Sequence, residues 1–209
     1  MVGIAHHGCP GPERWTVAKW KEYCEDHYKD KNEGDGLAVW RGHSVDAIKN
    51  MIGDLKIDSI IEYGCGRGAV LDAVATFTKA SRAVGVDISE GQIARARELH
   101  QHKDWTFIVE DFEAFKKREK FDLVIAFSVM LHIPPTRIKA FAKKLIASSK
   151  RYIIIVDVEG EAEKITRPEA AQWWHDHRSL FKGCKELERQ MVETLPLCDV
   201  FAMLLEVRK

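Results

Sequence analysis

The sequence predicts an α/β fold in which a doubly wound sheet carries helices on both faces, a three-layer α/β/α sandwich. Three observations predict it. Short, strongly apolar runs alternate with helical segments through the middle of the chain, as expected for strands buried on both sides. The first run, Ile57 to Tyr63, leads straight into Gly64-Cys65-Gly66-Arg67-Gly68, with a helical segment from Ala69. That is strand, tight turn, helix, the opening unit of such a sheet. The next run, Ala83-Val84-Gly85-Val86-Asp87, ends in an acid about twenty residues after the turn, where a carboxylate can accept from both hydroxyls of a ribose.

The glycines let the turn bring backbone N–H groups close to a ligand, and the helix N-terminus behind them favours negative charge. The turn alone leaves nucleotide-like cofactor binding and a structural bend both open. Its spacing is not that of the dinucleotide pattern, whose third glycine comes three positions after the second, and no Gly-Lys-Ser or Gly-Lys-Thr follows to make a phosphate loop. Asp87 could instead cap the helix that follows, but Ser89 is itself a good N-cap.

Taken in order, residues 1–13 carry glycine, proline and the cluster His6, His7 and Cys9, too short a set to argue for a metal. Trp15 to Asp30 reads as a helix with an aromatic stripe through Trp20, Tyr23, His27 and Tyr28. Gly34 and Gly36 break it, Leu37 to His43 reads as a linker, and a second helix runs from His43 or Ser44 to Met51 or Ile52. Strands are expected at 57–63, 82–87, 105–110, 121–127 and 150–157, and helices at 68–79, 90–101 and 135–148. Pro134 and Pro135 suit the start of that last helix. Pro168 to Trp174 reads as a short helix, and two late strands fit 186–194 and 199–207. The domain reading is an N-terminal helical extension or lid over 1–50 and a ligand-binding domain over 51–209.

Four pieces now stand in order: Glu62-Tyr63-Gly64-Cys65-Gly66-Arg67-Gly68, Gly85-Val86-Asp87-Ile88-Ser89, Val109-Glu110-Asp111-Phe112, and Phe121 through His132. Together they resemble the class I S-adenosylmethionine-dependent methyltransferases. The resemblance covers roughly residues 55 to 158. It implies a Rossmann-like seven-stranded sheet with an antiparallel last strand, S-adenosyl-L-methionine as cofactor, and N-terminal helices over the cleft.

It also implies roles. Backbone over Gly64, Cys65, Gly66 and Gly68 approaches the amino-acid portion of the cofactor, with Arg67 toward its carboxylate and Glu62 orienting the turn or receiving the ammonium through water. Asp87 holds the ribose, and Ile88 packs on the adenine. Asp111, or Glu110 one position before it, accepts from the adenine amino group, and Phe112 adds apolar contact. Phe127 lies by the reactive methyl. His132, in Val129-Met130-Leu131-His132-Ile133-Pro134, is the candidate base or acceptor-orienting group, since an imidazole ordinarily titrates near neutrality; packing within the loop is its bland alternative. His177, beside Asp176, is a second catalytic candidate. Tyr28, Trp40, His43, Met130 and Trp174 join His132 as candidate acceptor contacts. Cys65 reads as a small residue in a crowded bend.

Lys plus Arg and Asp plus Glu stand at 32 each, so the formal net charge is zero, which argues against a dedicated nucleic-acid binder. Five scattered cysteines without ligand spacing, and no signal-like or spanning segment, give the expectation of a cytoplasmic protein with no metal site and no membrane partner. No Asn-Pro-Pro-Tyr-like segment follows the fourth strand. The leading expectation is methyl transfer to an O, N or S nucleophile of a small molecule by direct displacement, in a monomer or homodimer. An RNA or protein/peptide methyltransferase, and a non-catalytic methyltransferase-like partner subunit, are the alternatives. A nicotinamide-dependent oxidoreductase loses on the glycine spacing.

Overall fold

The computed structural model describes residues 17–28, 35–116, 119–159, 172–194 and 199–208, with no side-chain description at Trp20, Tyr23, Cys24, 26–28, 35–41, Glu159 and 193–194. Helices α1 (Val17–Tyr28) and α2 (Asp35–Ile52) precede the alternating core. The core runs β1 (Ser59–Tyr63), α3 (Ala69–Thr78), β2 (Arg82–Asp87), α4 (Glu90–Leu99), β3 (Thr106–Val109), β4 (Phe121–Phe127), a 3-10 turn at Met130–His132, α5 (Ile138–Ser148) and β5 (Ser149–Glu159). A short α6 (His177–Leu180) leads to β6 (Cys184–Thr194) and β7 (Asp199–Val207).

The seven strands form one sheet in the order β3-β2-β1-β4-β5-β7-β6. The first five pair in parallel, while β7 runs antiparallel to both β5 and β6. The late strand pair is therefore the antiparallel addition that the resemblance implied. One core, built on α2, α3 and α4 with Ile48, Leu71, Val74 and Ile93, covers one face of the sheet. A second, with Phe112, Phe115, Phe141 and Leu145, covers the other. Strands with both faces buried leave no room for polar alternation, which is why they read as continuous apolar runs.

Four local expectations are corrected. Leu37 to His43 is not a linker: α2 is one continuous helix from Asp35. Gly42 within it costs about 1 kcal/mol of helix propensity, which the burial of Ala47, Ile48, Met51 and Ile52 on the sheet outweighs. β1 starts at Ser59, because the Asp122 carboxylate takes the N–H groups of Asp58 and Ser59 at 3.2 and 2.9 Å. α5 starts at Ile138, after a turn in which Pro134 O accepts from Arg137 N and Ile138 N at 2.8 and 3.1 Å. Of the short helix expected at 168–174, residues 168–171 lie outside the described residues, and 172–174 are extended. There Trp173 N donates to Leu131 O at 2.7 Å, a bond across to the β4–α5 loop that replaces any helical one. The helix begins instead at His177, where Asp176 accepts from Ser179 N.

Candidate functional site: the crevice at the strand ends

The connections leave β1 toward β2 on one side and return to β4 on the other, so the carboxyl ends of β1 and β4 flank a topological switch point. In open α/β sheets this is where ligands bind, because the diverging loops leave a crevice there.

The turn after β1 is shaped by its glycines. Gly64 and Gly68 both have left-handed backbones, with φ of 72° and 78°. A Cβ at Gly64 would stand 2.4 Å from Val129 Cγ2, and one at Gly68 would stand 2.6 Å from Phe107. No side chain fits at either place, so the bend lies directly against the β4–α5 loop and against β3. Gly64 N and Cys65 N donate to Val86 O at 2.8 and 3.2 Å, which ties the bend to β2. Glu62 is buried at the end of β1. The Cys65 thiol is buried too; burial raises it well above the ordinary thiol range, with the Asp87 and Glu62 charges adding to the effect. It is a packing group, not a nucleophile.

Asp87 closes the other side. Its Oδ2 accepts from Gly66 N at 2.8 Å and its Oδ1 from Ser89 N at 2.9 Å, so one carboxylate orders both the glycine turn and the start of α4. Ser89 caps α4 through Gln92 N, as expected from its residue type. Burial raises the Asp87 carboxyl above its usual range, and those N–H donors pull it partly back. Ile88 is half-buried beside it. Glu110 N donates to Asp87 O at 2.8 Å, which brings the 110–112 segment to the same edge.

Asp111 is not alone there. Arg137, which the sequence reading did not single out, donates to Asp111 Oδ1 at 2.7 Å, pairs with Glu113 at 2.9 Å, and lies 4.5 Å over the Phe112 ring. Phe112 itself is buried edge-on against Phe141, 4.8 Å between ring centres, so its ring belongs to the core. Phe127 is likewise buried, at the end of β4. Arg67 lines a surface depression of about 450 Å³ between α3 and α4, with Asp72, Arg95 and His100.

At the far end of the crevice, Ser128 adopts φ of 48°, a left-handed conformation that costs a non-glycine residue on the order of 1–3 kcal/mol. The chain then makes the Met130–His132 turn. His132 is half-buried in it, while Met130 is fully buried in the core on the α5 side. Trp174 is half-buried and His43 is exposed on α2. Tyr28 ends α1 and Trp40 lies within α2, but their side chains fall outside the described residues, as do His6, His7 and Cys9.

The sequence reading also missed Asp157, and took His175 only as an imidazole that, like His177, Asp176 could orient. Asp157, at the end of β5, is 2% exposed and accepts from Leu131 N at 3.1 Å and from Val158 N at 2.8 Å. Burial pushes its carboxyl up to about 7, against the pull of these N–H groups and that of Met130. The signal was present: an acid ending an apolar strand, as at Glu62 and Asp87. His175 is buried, and its Nε2 lies 2.9 Å from Ile133 O, an N–H donating to a carbonyl.

His177 is 4% exposed, and its pKa falls to about 4 through burial, with the neighbouring His175 and the Arg189 charge pushing the same way. A histidine held neutral in the folded chain but free to protonate below about 6.5 when unfolded stabilises the fold fully above that pH. The contribution disappears as pH falls toward 4, on the order of 3 kcal/mol at about 1.4 kcal/mol per tenfold change in proton affinity. Asp157 works in the opposite sense, since its raised carboxyl makes the fold less stable as pH climbs from about 4 to about 7. Urea unfolding at pH 5 and pH 7.5 separates the two. His177→Gln is expected to narrow the stability gap to the wild type at pH 5 relative to pH 7.5; an equal gap at both would show that His177 does not titrate on unfolding.

Among the described residues no helix is long and apolar enough to cross a membrane, and no cluster of histidine, cysteine, aspartate and glutamate is arranged to hold a metal ion.

Comparison with known proteins agrees with this architecture. Thiocyanate methyltransferase 1 of Brassica oleracea is 31% identical over 137 residues, which is 62% of this chain and 60% of that protein. The chain thus spans less than two thirds of that relative's length. The magnesium protoporphyrin IX methyltransferase of Synechocystis PCC 6803, solved with bound SAM, superposes with a TM-score of 0.73 at 19% identity, over 92% of this chain and 97% of that one. The N-methyltransferase NodS of Bradyrhizobium japonicum WM9, in complex with S-adenosyl-L-homocysteine, gives 0.74 at 14% identity, over 91% and 99%. A family model described as a methyltransferase domain matches residues 60–172, more than half of the chain, including the glycine turn, Asp87, Asp111 and the Met130–His132 turn. The chain therefore belongs to the methyltransferase-domain family, with the Rossmann-like sheet of the class I S-adenosylmethionine-dependent enzymes.

Proposed function

We propose that this chain is a methyltransferase that uses S-adenosyl-L-methionine to methylate an O, N or S nucleophile of a small molecule by direct displacement. The observation that carries it is the Asp87 carboxylate, drawn 2.8 Å from Gly66 N in a turn where Gly64 and Gly68 exclude side chains. Such a cradle sets a side-chain-free stretch of backbone and one acidic acceptor side by side, which suits a ligand with an amino-acid portion at one end and ribose hydroxyls further along. The residues fit the cofactor in this sense. When bound, S-adenosylmethionine supplies an electrophilic methyl group on a sulfonium.

This chain's residues then bind, orient and exclude water. Backbone over residues 64–68 takes the amino-acid portion, Asp87 the ribose and Ile88 a face of the adenine. Asp111 accepts from the adenine amino group while Arg137 holds its other contacts in place. Phe127 and Ser128 border the reacting end. His132 stands in the turn beyond them and accepts the proton of an acceptor that must lose one. In this reading the N-terminal helical extension over 1–50 serves as a lid over this crevice. The Brassica oleracea relative's name makes thiocyanate a rational first probe.

Calorimetry with S-adenosylmethionine, and with NAD as the control titrant, tests the cofactor; a well-folded chain that binds neither S-adenosylmethionine nor its demethylated product sinks the proposal. Transfer of labelled methyl to thiocyanate, a phenol and a primary amine then tests the acceptor class. Thiocyanate has no proton to lose, whereas the phenol does. His132→Gln is expected to lower kcat on the phenol by about 100-fold and to leave thiocyanate within about threefold. Equal losses on both probes would assign His132 to orientation and not to proton transfer.

A further inference from the structure

The Met130–His132 turn is tethered from two directions. From the sheet, Val156 O accepts from Ser128 N at 2.7 Å, and Asp157 Oδ2 accepts from Leu131 N at 3.1 Å, with Met130 N also directed at the Asp157 carboxylate. From the extended segment before α6, Trp173 N donates to Leu131 O at 2.7 Å and His175 Nε2 to Ile133 O at 2.9 Å. Both backbone groups of Leu131 are therefore occupied, one by β5 and the other by the 172–175 segment. His132 lies between the two residues so held. The strained backbone of Ser128 enters this turn, and such a conformation persists only where its surroundings over-determine it.

The choice of residue at 157 carries information. A fully desolvated carboxylate costs several kcal/mol. Asparagine or serine would be cheaper to bury, yet each also brings a donor. Leu131 N and Val158 N each take a different oxygen of Asp157, and a carboxyl group is the side chain of this size that presents two oxygens. Asp157 is too enclosed to meet an acceptor molecule, so any part it plays in transfer passes through the turn.

We propose that Asp157 is a positioning residue for methyl transfer: together with the Trp173–His175 segment it fixes the Met130–His132 turn, and so the His132 imidazole, at the reacting end of the crevice. This rests on the proposed function in so far as the acceptor meets this turn. Asp157 and His175 are then coupled through a turn that neither flanks in sequence. Displacement reactions lose rate steeply when the nucleophile is misaligned by about an ångström, which is the kind of change that releasing Leu131 allows.

The test uses the full chain and the variants Asp157→Asn, His175→Ala and His175→Gln. Asparagine keeps the volume at 157 but turns a donor toward the Leu131 and Met130 N–H groups. Amide hydrogen exchange over residues 129–133 is expected to speed up at least about tenfold in Asp157→Asn and in His175→Ala, with exchange in β4 and β5 unchanged. His175→Gln retains an N–H for Ile133 O and is expected to restore protection. Affinity for S-adenosylmethionine is expected to stay within about threefold of wild type, while single-turnover transfer to the phenol falls at least about 30-fold with little change in acceptor KM, and transfer to thiocyanate, which needs no proton acceptor, falls less.

Unchanged exchange over 129–133 in Asp157→Asn overturns the proposal. So does a loss of protection spread equally through β4 and β5 together with loss of cofactor affinity, since Asp157 would then serve the sheet and not the turn. A loosened turn with undiminished transfer to the phenol also overturns it. If the wild type binds S-adenosylmethionine but methylates none of the probes, the acceptor reading fails, and the exchange measurements still decide whether Asp157 and His175 hold the turn.

Discussion

Asp87→Ala is expected to weaken S-adenosylmethionine binding about 100- to 10,000-fold. Hydrogen bonds to a charged acceptor contribute about 1.5–3 kcal/mol each, and a carboxylate spanning two ribose hydroxyls makes two of them. The substitution does more than remove a ligand contact. It also releases Gly66 N and Ser89 N, the two backbone donors that the carboxylate holds at 2.8 and 2.9 Å. Asp87→Asn separates the two contributions. It keeps the size and one acceptor oxygen, so the glycine turn retains a partner while the ribose loses charge. Calorimetry should place it between wild type and alanine. If all three proteins bind the cofactor equally, Asp87 is a structural bond between two loops, and the ribose must be held elsewhere.

Gly64→Ala is expected to lower stability by about 2–4 kcal/mol and to reduce cofactor affinity at least about 30-fold. A left-handed backbone costs an alanine about 1–2 kcal/mol. The new Cβ would also stand 2.4 Å from Val129 Cγ2 and 2.7 Å from Val129 Cβ. Valine is β-branched and has no flexible end to swing aside, so the loop after β4 must move with it. The damage therefore reaches the Met130–His132 turn as well as the cofactor cradle. The double variant Gly64→Ala/Val129→Ala discriminates the causes. Relief of the clash should return part of the stability and part of the affinity relative to Gly64→Ala alone, a positive coupling in a double-mutant cycle. Additive losses would show that backbone strain at Gly64, and not Val129, sets the cost.

The sheet was legible because its signals are local. Strands buried on both faces must be continuously apolar, and the chain supplies Ile60-Ile61, Ala83-Val84, Leu123-Val124-Ile125-Ala126 and Ile153-Ile154-Ile155 at helix-sized intervals. The positive-φ turn at 64–68 was legible for the same reason, since only glycine takes that backbone without penalty. Helix boundaries were less so. The start of α2 depends on Ala47, Ile48, Met51 and Ile52 finding the sheet, which holds a helix together across Gly42. The extended path of 172–174 depends on a carbonyl at Leu131, some forty residues earlier in sequence.

By itself, then, the sequence determined the α/β class, the strand order's opening turn, and the acid that ends β2, because each follows from side-chain period, glycine conformation or the residue type at a strand end. The tertiary structure alone decided which neighbours those residues acquired. Arg137 reaches Asp111, Phe112 turns into the core, Met130 is buried, and Asp157 meets the N–H groups of a turn on another strand's loop. These pairings join segments far apart along the chain, and burial together with hydrogen-bond satisfaction selects them only once the sheet has brought β4 and β5 side by side.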